Sequence, residues 1–129
     1  MCTAILLNDK HNLFGRNLDV ECSYGEKVVI TPRNFEFNFR SGETLSNHYA
    51  MIGMSAIRHG YPLYFDATNE KGLSVAGLRY VDACYYNESE NLKNIAVFEL
   101  IPYILGICQN VDFFCSHECR IESYTKLTD

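Results

Sequence analysis

Short apolar runs divided by turn signals fill about the first hundred residues, and a run that is apolar nearly all round follows them. That order, strands in series and then a helix, predicts an α+β domain and not alternating βαβ units. Cys2 to Leu7, a polar turn at Asp9-Lys10-His11-Asn12, and Leu13-Phe14-Gly15-Arg16 predict a hairpin at the start of the chain. Val28-Val29-Ile30-Thr31 reads as a strand ending at Pro32. Phe35, Phe37 and Phe39 alternate with Glu36, Asn38 and Arg40, the period of two of a half-buried strand, and such a row is expected in the core. Arg40 to His48 reads as a loop, Tyr49 to Ile57 as a mostly apolar run, and Tyr64-Phe65-Asp66-Ala67 and Leu73 to Leu78 as further segments. Asn69-Glu70-Lys71-Gly72 has the chemistry of a type I turn closed by a left-handed glycine. A polar loop is expected from Tyr85 to Lys93, then a buried helix from Val97 to Cys108 with Asn94 as N-cap and Glu99 in its first turn. Pro102 fits only if that helix starts a few residues before it.

With 129 residues, 47% of them hydrophobic, the chain is long enough for one domain with a core of its own. A net charge of −5 and the lack of a basic stripe argue against a nucleic-acid partner. No apolar run reaches the roughly eighteen residues of a membrane span. No secretory signal is evident, so a cytoplasmic location is expected. In a reducing compartment the six cysteines, Cys2, Cys22, Cys84, Cys108, Cys115 and Cys119, read as thiols, with Cys84 and Cys108 as buried packing residues. Cys115, His117 and Cys119, even with Cys108, match no common zinc spacing, so neither metal nor cofactor is expected.

The chemistry centres on Cys2. Removal of Met1 would leave a thiol and a free α-amino group on one residue. An α-amine has a pKa of about 7.7–8.0 against about 10.4 for lysine, so it can act as a base near neutral pH. One residue would then supply both nucleophile and base. A bland alternative is that position 2 tolerates many small residues; likewise Arg16 and Asp19 alone read as an ion pair at a turn.

Met1-Cys2-Thr3-Ala4, Phe14-Gly15-Arg16-Asn17-Leu18-Asp19, Ile30-Thr31-Pro32-Arg33-Asn34, and Asn69-Glu70-Lys71-Gly72-Leu73 with Ala76-Gly77-Leu78 occur in that order. Together they resemble the choloylglycine hydrolase family of conjugated bile salt hydrolases and penicillin V acylases, over roughly residues 1–110. The resemblance implies an N-terminal-nucleophile hydrolase, an αββα sandwich, with Cys2 as nucleophile, Arg16 beside the thiol and Asp19 holding the α-amine. It implies hydrolysis of a small-molecule amide, a conjugated bile salt before penicillin V or another N-acyl amide, and homo-oligomers among full-length relatives.

Two departures accompany it. The oxyanion position after Ala76-Gly77-Leu78, an asparagine or tyrosine in the family, is Arg79, a second cation near Arg16. Family members are also longer, their downstream half supplying further site residues and much of both sheets. Residues 111–129, with Phe113-Phe114-Cys115-Ser116-His117-Glu118-Cys119, lack the amphipathic helix expected there and read as an atypical tail, truncated or frame-shifted. The sandwich is therefore expected only in part. A non-catalytic fragment or interaction module that keeps the motifs is the alternative of another class.

Overall fold

The computed structural model describes residues 2–78, 94–116 and 122–124. β1 (Thr3–Asn8) and β2 (Asn12–Asn17) form the antiparallel hairpin predicted at the start of the chain, a two-stranded sheet by itself. β3 (Lys27–Thr31) follows, then two short strands, β4 (Phe37–Asn38) and β5 (Thr44–Leu45), which pair with each other. β6 (Met51–Arg58), β7 (Tyr61–Asn69) and β8 (Ser74–Ala76) join β3 in a four-stranded antiparallel sheet of order β3-β6-β7-β8. β6 turns into β7 through His59 and Gly60, both at positive φ, as a tight hairpin turn requires.

The phenylalanine row alternates as predicted but does not form a long strand. Phe37 and Phe39 are buried while only Phe37–Asn38 pairs in a ladder. The reason is the turn that follows: Gly42, at φ 85°, donates its N–H to the Phe39 oxygen, and Phe39 N–H donates to Glu43. The segment from Arg40 to His48, expected to be a loop, thereby contains β5.

The buried helix starts later than predicted. A single 3₁₀ turn spans Val97–Glu99, and α1 proper is Leu100–Ile107. Pro102 thus lies in the first helical turn, where its missing N–H has no intrahelical partner to lose. Asn94 is not the cap but the start of β9 (Asn94–Ala96), which pairs in parallel with β10 (Glu122–Tyr124). Buried Glu99 accepts hydrogen bonds from the backbone N–H groups of Arg40 (2.8 Å) and Ala96 (3.2 Å), so it fastens the helix entry to the end of the phenylalanine row. A short helix, α2 (Val111–Ser116), stands where the tail was expected to lack one. Asn110 Oδ1 accepts the Phe113 N–H at 2.7 Å as a cap, and Phe113 and Phe114 pack on the core. The polar loop expected from Tyr85 to Lys93 lies outside the described residues.

One face of the four-stranded sheet meets α1. Met51, Tyr64, Ala67 and Leu73 from the sheet, Phe37 and Phe39, and Ile101, Ile104, Leu105 and Cys108 from the helix side form one cluster. Gly106 lets α1 approach closely: a Cβ there would sit 2.8 Å from Leu45 Cδ2 and 3.2 Å from the His48 Cβ. The opposite face is different. Val28, Ile30 and Ile52 share it, because Ile30 stands opposite Ile52 and Val28 opposite Met54, and all three are exposed. The β1–β2 hairpin is apolar and exposed on both of its faces, with Leu6 and Phe14 on one and Ile5, Leu7 and Leu13 on the other. This is a helix layer on one face of a four-stranded sheet with a separate two-stranded hairpin, the layers of a sandwich present in part.

Candidate active site on the first hairpin

The hairpin register sets where the predicted site residues fall. Thr3 pairs with Asn17 and Ala4 with Arg16. Cys2 immediately precedes this ladder, and continued alternation would set it on the face of Ala4 and Arg16. Two local contacts fix this start of the ladder. Thr3 N–H donates to Asn17 Oδ1 at 2.6 Å, and the half-buried Cys2 Sγ lies 3.7 Å from the Asp19 backbone oxygen. Cys2 and the Arg16–Asp19 segment are therefore brought together.

Arg16 is the most constrained of these residues. Its side chain is only 4% exposed. Nη2 donates to the Gly77 carbonyl at 2.8 Å, and Nε lies 3.5 Å from Asp66 Oδ2. Nε and Nη1 have no hydrogen-bond partner. A buried guanidinium with donors to spare can bind a carbonyl, a carboxylate or a thiolate. Asp66 lies on the outer face of the sheet, opposite Met54 and Ala76, so Arg16 ties the hairpin layer to that face. Arg79 itself lies outside the described residues; Gly77, two residues before it in sequence, is the Arg16 acceptor.

The loop after the hairpin borders this region. Tyr24 packs against Phe65 with ring centroids 6.1 Å apart, and Arg58 Nη2 donates to the Tyr24 oxygen at 2.9 Å. Hydrogen bonds from its own backbone N–H, the Ser23 hydroxyl and the Tyr24 N–H hold the Glu26 carboxyl below its ordinary range.

The other motifs prove to be scaffold. Gly72, at φ 87°, closes the predicted turn by donating to the Asn69 oxygen at 2.9 Å. Buried Asn69 uses its whole side chain: Nδ2 donates to Leu105 O (2.9 Å) and Cys108 O (2.8 Å), and Oδ1 accepts from Lys71 and Leu73 N–H, each at 3.0 Å. It thus satisfies carbonyls at the C-terminal end of α1. Glu70 pairs with Arg33 and accepts the Ala50 N–H at 3.0 Å, and the Arg33 hydrogen bond holds its carboxyl below the usual range. A cleft of about 500 Å³ opens among Arg33, His48, Glu70 and Lys71, and a second of about 440 Å³ among Arg40, Tyr61, Phe98 and Glu99. Neither is lined by Cys2, Arg16 or Asp19. Burial, then the charge of Glu99, pushes the Tyr61 hydroxyl well above its ordinary range.

Among the described residues no group of three or more His, Cys, Asp or Glu side chains could hold a metal ion. Cys108 is buried, Cys22 and Cys115 are exposed, and Cys84, His117 and Cys119 lie outside the described residues. No helix is long and apolar enough to cross a membrane among the described residues. Sequence reasoning missed Asp66 and Gly77 as partners of Arg16. Gly77 lies inside the Ala76-Gly77-Leu78 motif, whereas Asp66 carries no local signal.

Comparison with known proteins gives the family and the fold. Residues 2–114 match the family described as linear amide C–N hydrolases, choloylglycine hydrolase family. A bile salt hydrolase/transferase of Lactiplantibacillus plantarum is 51% identical over 107 residues, covering 82% of this chain and 33% of the relative. A conjugated bile acid hydrolase of Lactobacillus gasseri is 39% identical, covering 81% of this chain and 34% of the relative. The crystal structure of the C2A mutant of conjugated bile acid hydrolase from Clostridium perfringens superposes with a TM-score of 0.85 at 32% identity, covering 95% of this chain and 39% of that one. The chain thus spans about a third of the length of the curated relatives it matches, and its layers are part of the αββα sandwich of an N-terminal-nucleophile hydrolase. This chain belongs to the choloylglycine hydrolase family.

Proposed function

We propose that this chain carries the nucleophile-bearing part of an amidohydrolase that cleaves conjugated bile salts, releasing glycine or taurine. After loss of Met1, the α-amine of Cys2 takes the thiol proton and the thiolate attacks the amide carbonyl. The tetrahedral intermediate collapses to a thioester as the leaving amine takes up that proton. Water then gives a proton to the α-amine, attacks the thioester, and the bile acid departs with the thiol restored. Asp19 orients the α-amine and Arg16 favours the thiolate; the family's oxyanion role falls in sequence to Arg79.

The observation that carries this reading is the buried Arg16 guanidinium, with Nε and Nη1 lacking hydrogen-bond partners, on the hairpin that Cys2 precedes. The relatives' names support bile salts as the substrate class. A non-catalytic module is favoured by one specific observation, the exposed apolar hairpin and outer sheet face.

Incubating protein shown by intact mass to lack Met1 with taurocholate, and separately with penicillin V, separates these readings. Taurine release that disappears in Cys2→Ser is expected. Preferential cleavage of penicillin V would move the substrate class, and no release from either would leave the binding module.

A further inference from the structure

Asp66 sits where the β6–β7 ladder slips. Met54 pairs with Asp66 but Ser55 pairs with Tyr64, which leaves Phe65 as the extra residue of a bulge. A bulge re-aims the side chains beside it. Here Asp66 Oδ1 accepts the Met54 N–H at 3.3 Å while Oδ2 lies 3.5 Å from Arg16 Nε. The bulged residue is used as well: Phe65 O accepts the Gly77 N–H at 2.8 Å, and the Gly77 carbonyl accepts Arg16 Nη2. Both groups that hold the guanidinium thus lie beside the bulge. A cation this deeply buried needs a paired carboxylate to offset its lost hydration. With Nε and Nη2 turned to the sheet, Nη1 is left without a partner.

We infer that Asp66 is a positioning residue for Arg16, acting through the β6–β7 bulge to hold the guanidinium against the hairpin that bears Cys2. The inference rests on the reading of Arg16 as a site residue given above. Asp66 touches neither thiol nor substrate in this scheme; it acts through Arg16 and through nothing else.

The test compares wild type, Asp66→Asn, Asp66→Glu and Arg16→Ala by nuclear magnetic resonance of arginine Nε–H groups and by taurine release from taurocholate. Wild type should show a slowly exchanging Arg16 Nε–H resonance, identified by its loss in Arg16→Ala. Asp66→Asn should lose that resonance, lower kcat about tenfold, and leave KM within about twofold. In an Arg16→Ala background, Asp66→Asn should lower kcat no further. An unchanged resonance in Asp66→Asn, or an equal loss of kcat with and without Arg16, overturns the inference. Should Asp66→Asn fail to fold, Asp66→Glu, which displaces the charge by one methylene, must still shift the resonance; a spectrum identical to wild type overturns the inference. If wild type releases no taurine but the resonances behave as described, the hydrolase reading fails and the positioning role stands.

Discussion

The two faces of the four-stranded sheet have opposite fates. On the helix side Phe37 and Leu105 are 0% exposed and Asn69 spends its whole side chain on α1 and its own turn. On the other side Ile30 is 70% exposed, and Leu6 of the hairpin 62%. The first face is a finished core. The second is bridged to the hairpin by Arg16, a charged side chain. The difference teaches that one layer contact supplies stability, while the other holds the residues to which we assign the chemistry. It also separates the motifs: Asn69-Glu70-Lys71-Gly72 belongs to the first face, Cys2 and Arg16 to the second.

If chemistry is confined to the hairpin side, Cys2→Ser and Arg16→Ala should act on turnover alone. Cys2→Ser is expected to lower taurine release by about a thousandfold or more, because a hydroxyl is a far weaker nucleophile than a thiolate at neutral pH. Arg16→Ala should also lower it strongly, with circular dichroism unchanged in both. A loss of fold in either would break the division.

The helix side should respond in the opposite sense. Leu105→Ala removes a fully buried side chain and is expected to cost about 2–5 kcal/mol in denaturant unfolding. Asn69→Ala leaves two carbonyls and two N–H groups of the turn and helix end without their side-chain partner. A loss of about 1–3 kcal/mol follows. Wild-type stability in Asn69→Ala would show that the motif is not scaffold.

Much of this division was legible locally. The hairpin, β3, the left-handed Gly72 and the apolar helix follow from periods and turn residues that lie close together in sequence. What was not legible depends on distant partners. Asn69 reads as a turn residue, but its use depends on carbonyls of Leu105 and Cys108 far along the chain. Asp66 belongs to an apolar strand, and only the bulge turns it towards Arg16. The end of the phenylalanine row was set by the Gly42 turn, and α2 by the Asn110 cap on two phenylalanines that show no repeating stripe.

The smallest thermodynamic effect should come from the uncovered face. Leu6→Ser and Ile30→Thr remove exposed side chains, so unfolding free energy should change by no more than about 0.5 kcal/mol. Association is where they should act, since apolar faces and open strand edges promote self-assembly. Static light scattering is expected to show the wild-type chain self-associating and the double variant less so. Identical scattering would mean that these faces do not drive association.

Amide hydrogen exchange, read strand by strand at a concentration where scattering shows monomer, tests the contrast most directly. Amides of Met51–Arg58, Tyr61–Asn69 and Leu100–Ile107 should exchange slowly, through global opening. Those of Thr3–Asn8 and Asn12–Asn17 should exchange much faster, through local opening of a hairpin tied to the sheet by Arg16. Equal protection of the hairpin and the central strands would contradict the division between a finished core and an exposed hairpin layer.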